Sequence, residues 1–503
     1  MIMENENHEE IGVSVTESDG NTFVLKQVRD SYDFTHIIKK ELGRGGQGMV
    51  CLTEDKDIVV KFALDTKGTI IGKEKDSAVF EHNDAAFKAV ALKAFPDRLH
   101  LARPVARLAD YSGYVMRLMG DMTSFSELVP IDSEGIVRMA SDGGHRRRFF
   151  LLSKLAILLA KLHCAGMVYC DISSNNVFVT KSPASETQNV WLIDADNVFI
   201  PGEDLDKLVF TPRYAAPELI GNPPKPCSHA SDCYSFAVLA FESLSALHPF
   251  KGKKAESKDG GDDWDASVQK NGDAKSSFSE PDAFPEYSGK IPWVEDTEDD
   301  SNHTENGLPR QNFLTDETFR LFNATFSEEG RKSPRMRPTA VLWARAFAHS
   351  HAKSVCCPDC GMSFVFDEEQ KNCPWCEKKL PPLLTLSLCD EVVFAHEVFF
   401  KKDCEGEWIL LPEFLFEPFS VDTCFRPLIK LRTVEKSGRA LEFVSSVESG
   451  GEHLFFISTE NGEEKIGARY TLFLQRGQYE LRYENTQSGI QRTFSLSIKE
   501  SFE

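Results

Sequence analysis

The run from Phe149 to Cys164, FFLLSKLAILLAKLHC, has helical spacing but is apolar almost all round. A helix of that composition must be enclosed by other elements, so a large domain is expected around it. Directly after it stands Tyr169-Cys170-Asp171-Ile172-Ser173-Ser174-Asn175-Asn176, with an aspartate and an asparagine five residues apart. Two apolar runs follow, Val177-Phe178-Val179 and Val190-Trp191-Leu192-Ile193, split by a polar loop, and they read as a strand pair that ends at Asp194.

At 503 residues the chain is too long for one hydrophobic core, and roughly three domains are expected. Its net charge of −21 argues against general binding to nucleic-acid phosphates, whose affinity comes from basic groups releasing counterions. The first residues carry neither a basic nor an apolar leader pattern, and no stretch offers about twenty consecutive apolar residues. The expectation is a cytoplasmic protein with no membrane span. Thirteen cysteines, an odd number in a long chain, favour reduced thiols with some metal ligation over a disulfide framework.

Residues 1–20 are acidic and polar and read as a loose tail. From Ile37 to Phe62 two apolar stretches flank the string ELGRGGQGMV, which places Gly43, Gly45 and Gly48 in the order G-x-G-x-x-G, with Val50 two residues on. A hairpin of this kind can lay bare backbone N–H groups over phosphates. Thirteen residues after Gly48, Lys61 sits inside the apolar strand Ile58 to Phe62 and calls for an anionic partner. Helical stretches follow at 78–92 and near 230–247, 316–326 and 338–350, while residues 251–306 turn to Asp, Glu, Gly, Ser and Lys, as in a solvated insertion.

With the glycine loop, Lys61, Asp171 and Asn176 in this order, the sequence resembles the eukaryotic-like protein kinase superfamily. The resemblance implies that Lys61 holds the α/β-phosphates of ATP and is itself held by a helix glutamate, Glu81 or its rival Glu74. It implies that Asp171 accepts or orients the proton of the attacking hydroxyl, and that Asn176 and Asp194 hold Mg²⁺, with Asp196 the alternative to Asp194. Thr211-Pro212-Arg213-Tyr214-Ala215-Ala216-Pro217-Glu218 is similar to the end of a kinase activation segment. Asp232 corresponds to the residue that braces the catalytic loop, and Arg337 to the arginine that pairs with Glu218.

The chain departs from that pattern in three places. Cys170 replaces the arginine that usually meets an activation-loop phosphate, so activity is expected not to need phosphorylation there. Ser173 replaces a lysine at the γ-phosphate, which removes a positive charge and leaves Ser/Thr only weakly favoured over Tyr. Ala195-Asp196 replaces Phe-Gly after Asp194, so flipping of this segment is expected to be disfavoured.

Cys357-Pro358-Asp359-Cys360 and Cys373-Pro374-Trp375-Cys376 form two C-x-x-C knuckles, a spacing suited to a closed, structural Zn²⁺ site. Cys389, Cys404 and Cys424 lack such spacing and read as small core residues. After Pro382, short runs such as Tyr470 to Leu474 and Tyr479 to Tyr483 point to an antiparallel sandwich or barrel. The expected architecture is α+β: a bilobal kinase fold (21–118 and 119–350), a zinc ribbon (354–380) and an all-β sandwich-like module (381–503). That order resembles bacterial kinases of the tellurite-resistance-associated group, which implies von Willebrand factor A-type and metal-dependent phosphatase partners beside a protein substrate. The expected function is transfer of the ATP γ-phosphoryl group to a protein Ser/Thr hydroxyl; the alternative is a nucleotide-binding scaffold that works through its ribbon and β module.

Overall fold

The computed structural model describes residues 12–45, 48–130, 132–204, 207–256, 287, 289–435, 438–446, 452–475 and 479–499. Its first part is built on strands. β1 (Val13–Thr16) pairs antiparallel with β2 (Thr22–Leu25), and Val13, Val15 and Leu25 are buried together. The tail reading therefore fails from residue 12 onward: in VSVT the two valines alternate with polar residues, enough to bury one face. Residues 1–11 lie outside the described residues.

β3 (Gln27–Arg29), β4 (Thr35–Arg44), β5 (Gly48–Thr53), β6 (Ile58–Ala63), β7 (Ala106–Arg107) and β8 (Gly113–Arg117) form one antiparallel sheet in the order β3-β4-β5-β6-β8-β7. Helix α1 (Ser77–Leu92) lies between β6 and β7 in the chain and turns Phe80, Phe87 and Val90 inward.

The second part is mainly helical. β9 (Met122–Ser124) precedes α2 (Ser133–Arg138) and α3 (Gly144–Cys164), and β9 joins β10 (Val177–Thr180) and β11 (Val190–Leu192) in a small sheet with Val177 opposite Leu192. Helix α3 carries the all-round apolar run and is buried along most of its length. It is packed against α4 (His229–Ser245), which a Ser228/Ser231 capping box starts, and α8 (Ala340–Ala352), while α5 (Lys253–Glu256), α6 (Asp316–Phe326) and α7 (Glu328–Lys332) lie between them in the chain, with α6 packed on α4 and α8. The Ser153 hydroxyl of α3 donates to the Ala344 carbonyl of α8 at 2.7 Å.

Part of the expected solvated insertion is core instead. Trp293 and Val294 are fully buried, Trp293 packs edge-on against Phe241 at 5.9 Å, and the Asn302 amide donates to the carbonyls of Phe250 and Pro292. Two apolar residues outweigh the acidic composition around them. Residues 257–286 and 288 lie outside the described residues.

β12 (Ser354–Cys356) and β13 (Ser363–Val365) form a hairpin beside the cysteine knuckles. Beyond it come β14 (Leu383–Leu388), β15 (Glu391–Glu397), β16 (Ile409–Pro412), β17 (Pro427–Glu435), β18 (Arg439–Ser445), β19 (His453–Thr459), β20 (Gly462–Lys465), β21 (Tyr470–Phe473), β22 (Tyr479–Asn485) and β23 (Gln491–Lys499). They make a six-stranded sheet, β15-β14-β23-β22-β19-β20, and a four-stranded sheet, β16-β17-β18-β21. Consecutive β21 and β22 belong to different sheets, and inner-face residues of both sheets join the hydrophobic cluster around α3. Arg146 pairs with Glu397 at 2.7 Å and Phe150 meets Phe425 at 4.7 Å, so this region is packed on the helical part. Cys424 is buried as expected, but Cys389 and Cys404 are exposed, Cys389 in a turn at positive φ, and neither is a core residue.

Candidate active site

The loop after α3 is held from below by one side chain. Asp232, fully buried in the first turn of α4, accepts hydrogen bonds from the backbone N–H groups of Tyr169 and Cys170, both at 2.9 Å, and lies 3.0 Å from His163 Nε2. Cys170 adopts φ +75°, a left-handed conformation that is costly for a non-glycine residue, and the bond from Asp232 offsets that strain. The turn presents Asp171 to Asn176 and Thr211.

Asp171 is gripped by two neighbours. The Asn176 amide donates to its Oδ2 and to its backbone carbonyl, both at 2.9 Å, and the Thr211 hydroxyl donates to its Oδ1 at 2.8 Å. Burial raises the Asp171 pKa above its ordinary value, the hydrogen bonds from Thr211 and Asn176 oppose this, and the nearby Asp194 charge adds to it.

Two residues past the end of β11, Asp194 adopts φ +56° and pairs with Lys61 Nζ at 2.6 Å. Asp196 lies 3.6 Å from the same ammonium and accepts a hydrogen bond from the buried Tyr114 hydroxyl at 3.2 Å. Burial alone would lower the Lys61 pKa, but Tyr114, Asp196 and Asp194 outweigh it and hold the amine charged. Glycine at 48 suits this packing, because a Cβ there would come 3.1 Å from both Lys61 Cε and the Phe62 carbonyl, closer than an ordinary contact. Gly43 and Gly45 have open space where a Cβ would point, and Val50 faces Lys61 across the β5–β6 ladder.

Glu81 is not brought to Lys61. It is exposed on α1, one residue past the inward Phe80, and that spacing turns it about 100° away from the buried face. Glu74 precedes the helix and is exposed as well, and among the described residues neither forms an ion pair with Lys61. Sequence reasoning missed Tyr114 in this role. The available signal was a tyrosine inside the apolar strand GYVMR, whose hydroxyl needs a partner when buried.

Two lysines tie down the segment after Asp194, one of its own and one at the end of α1. Lys207 Nζ donates to the Asp196 carbonyl, and Lys93, the residue capping α1, pairs with Asp204. Farther along, Arg337 makes a two-pronged pair with Glu218 at 2.7 and 2.8 Å in a buried setting, and Arg213 pairs with the buried Glu242 at 2.6 Å.

The donor set fits magnesium. Lys61 occupies one oxygen of Asp194, and the amide nitrogen of Asn176 is spent on Asp171, which leaves a carboxylate and an amide oxygen as hard ligands. The ribbon fits zinc on geometry. All four sulfurs of Cys357, Cys360, Cys373 and Cys376 lie within 4.8 Å of one another, with two pairs at 3.7 Å. Tetrahedral zinc with bonds of about 2.3 Å puts its sulfurs about 3.8 Å apart. The hairpin also clamps the start of α3: Ser363 Oγ accepts from the Arg146 N–H at 2.9 Å, and the Ser363 carbonyl accepts from Trp375 Nε1 at 3.3 Å.

Residues 135–299 match the protein kinase domain family. The chain is similar to the serine/threonine-protein kinase pkn2 of Myxococcus xanthus, 26% identical over 228 residues that make up 43% of this chain and 25% of that protein. It is 32% identical to ribosomal protein S6 kinase alpha-1 of Homo sapiens over 108 residues, 21% of this chain and 14% of that one. It is also 32% identical to serine/threonine-protein kinase D2 of Rattus norvegicus over 103 residues, 20% of this chain and 11% of that one. The matches thus span a quarter or less of these relatives' lengths. Among the described residues no helix is long and apolar enough to cross a membrane. Residues 135–299 are thus similar to a protein kinase domain, and the geometry of the site is in keeping with that likeness.

Proposed function

We propose that the protein is an ATP-dependent kinase that phosphorylates Ser or Thr hydroxyls of a protein substrate. The observation that supports this most is the grouping of Asp171, Asn176, Asp194 and Lys61 around one cleft, with Asp171 held on both carboxylate oxygens. Lys61 would neutralise the α/β-phosphates, and Asn176 and Asp194 would hold magnesium, which supplies charge neutralisation across the phosphates when bound. Asp171 takes the proton of the attacking hydroxyl as the new O–P bond forms and the bond from the γ-phosphorus to the bridging oxygen breaks, releasing ADP.

The geometry also bears on regulation. A phosphate on Thr211 would press negative charge onto Asp171, whereas the unmodified hydroxyl donates to it. Lys93 and Lys207 already tie the activation segment down, which supports activity without phosphorylation of that loop. The competing reading, a nucleotide-binding scaffold, draws on the missing lysine at Ser173. A cytoplasmic, signalling setting and the von Willebrand factor A-type and phosphatase partners belong to the proposal through the sequence resemblance alone, and co-purification from the native host tests them.

Incubation with γ-labelled ATP and a generic protein, followed by phosphoamino-acid analysis, separates the readings. Label on serine or threonine is expected. Tight nucleotide binding with no label on any protein hydroxyl would establish the scaffold instead.

A further inference from the structure

Lys61 lies on the central strand β6, yet no carboxylate reaches it from α1. That helix turns inward Phe80, Phe87 and Val90, which are apolar; its half-buried Asn83 amide is spent on the Ser112 hydroxyl at 2.9 Å, and Asp84 is paired with Arg107. The groups that do surround the ammonium are Asp194 at 2.6 Å, Asp196 at 3.6 Å and the Tyr114 ring, whose centroid is 5.6 Å away. Asp194 is committed elsewhere in the proposed reaction, as a metal ligand. Asp196 is fixed from two sides, by the Tyr114 hydroxyl on its carboxylate and by Lys207 on its carbonyl. Tyr114 is fully buried and packs edge-on against Phe87 of α1 at 5.0 Å.

We infer that Asp196 and Tyr114 are the positioning residues for Lys61, taking the place of a helix glutamate, and that α1 supports the nucleotide clamp by packing, through Phe87 against the Tyr114 ring and through its contact with the Ala195–Asn197 turn. The inference rests on the kinase reading. When nucleotide draws Asp194 toward a metal, Asp196 remains to keep the ammonium in place, and Tyr114 keeps Asp196 from turning to solvent. The segment Ala195-Asp196 thus gains a use that a glycine at 196 could not serve.

The test is direct titration of the full chain with a fluorescent ATP analogue and Mg²⁺, alongside steady-state kinetics. Asp196→Asn is expected to weaken nucleotide affinity and raise the KM for ATP about ten-fold through loss of the ion pair with Lys61, with a smaller fall in kcat. Asp196→Glu should recover most of the loss, and Tyr114→Phe, which keeps the ring, should weaken affinity about three-fold while leaving the melting temperature near wild type. In a Lys61→Met background Asp196→Asn should add little, because its effect runs through the ammonium. Glu81→Gln should change affinity less than two-fold. Additive losses in the double variant, rescue of Asp196→Asn by excess Mg²⁺, or a ten-fold loss in Glu81→Gln would overturn the inference. Wild-type binding matched by Asp196→Asn would overturn it while sparing the kinase reading; absence of any binding by wild type would remove both.

Discussion

The two faces of the cleft are built differently. On the helical face, Asp171 is placed by the core: Asp232 is fully buried beneath the loop, Arg337 and Glu218 pair inside the fold, and the cysteine hairpin clamps the far end of α3. On the strand face, Lys61 stands in a thin sheet and is held mainly by Asp194 and Asp196, which belong to the other face. Damage to the first should appear as lost stability, and damage to the second as lost nucleotide binding in a protein that stays folded.

The largest expected effect is removal of a metal from the four-cysteine cluster, whose geometry fits zinc. Structural zinc in such sites is worth on the order of 10 kcal/mol of local folding free energy. A strong chelator should expose Trp375, red-shift its fluorescence and free four thiols for titration; an unchanged Trp375 signal with all four thiols reactive would mean that the hairpin folds without metal. Next comes Arg337→Met, which strands the buried Glu218 and should cost about 3–5 kcal/mol in chemical denaturation. A loss below about 1 kcal/mol would show the pair to be dispensable. On the opposite face, Lys61→Met should cost the fold less than about 1 kcal/mol, as partly exposed pairs do, while nucleotide binding falls steeply. If stability fell instead, the contrast between the faces would not hold.

A subtler effect concerns pH. In the proposed reaction Asp171 must be ionised to accept a proton, and burial raises its pKa, so kcat/KM should decline on the acid side at a higher pH than for an ordinary aspartate. Thr211 donates to the ionised carboxylate and pulls that value down. In Thr211→Val the acid limb should therefore move to higher pH, with the plateau rate at most about ten-fold lower. An acid limb that stays in place would separate Thr211 from the titration of Asp171.

Much of this site can be read from local chemistry. The glycine loop, Lys61, the Asp171–Asn176 spacing and the two C-x-x-C knuckles each place their groups through a short stretch of backbone, so residue type and spacing suffice. The partner of Lys61 depends on tertiary register instead. Tyr114 lies opposite Lys61 across the β6–β8 ladder, and Asp196 follows β11, 135 residues further along the chain, so nothing near Lys61 announces them, while Glu81 sits on a helix whose rotation the sequence pattern leaves open. The same limit explains β1, where two valines were too few to outweigh acidic neighbours, and Trp293, whose burial comes from Phe241 and Phe326 on distant helices. In the last hundred residues strand content was readable, but the crossing from β21 to β22 between sheets was not, because both runs alternate in the same way.

In the proposed reaction Asp171 accepts a proton beside a bound magnesium nucleotide. Single-turnover transfer from γ-labelled ATP, measured at saturating Mg²⁺ in wild type and Asp171→Asn, tests it most directly. The account predicts a rate at least about 100-fold lower in the variant, with nucleotide affinity within about two-fold of wild type. Equal rates, or a variant that loses the nucleotide along with the rate, would contradict it.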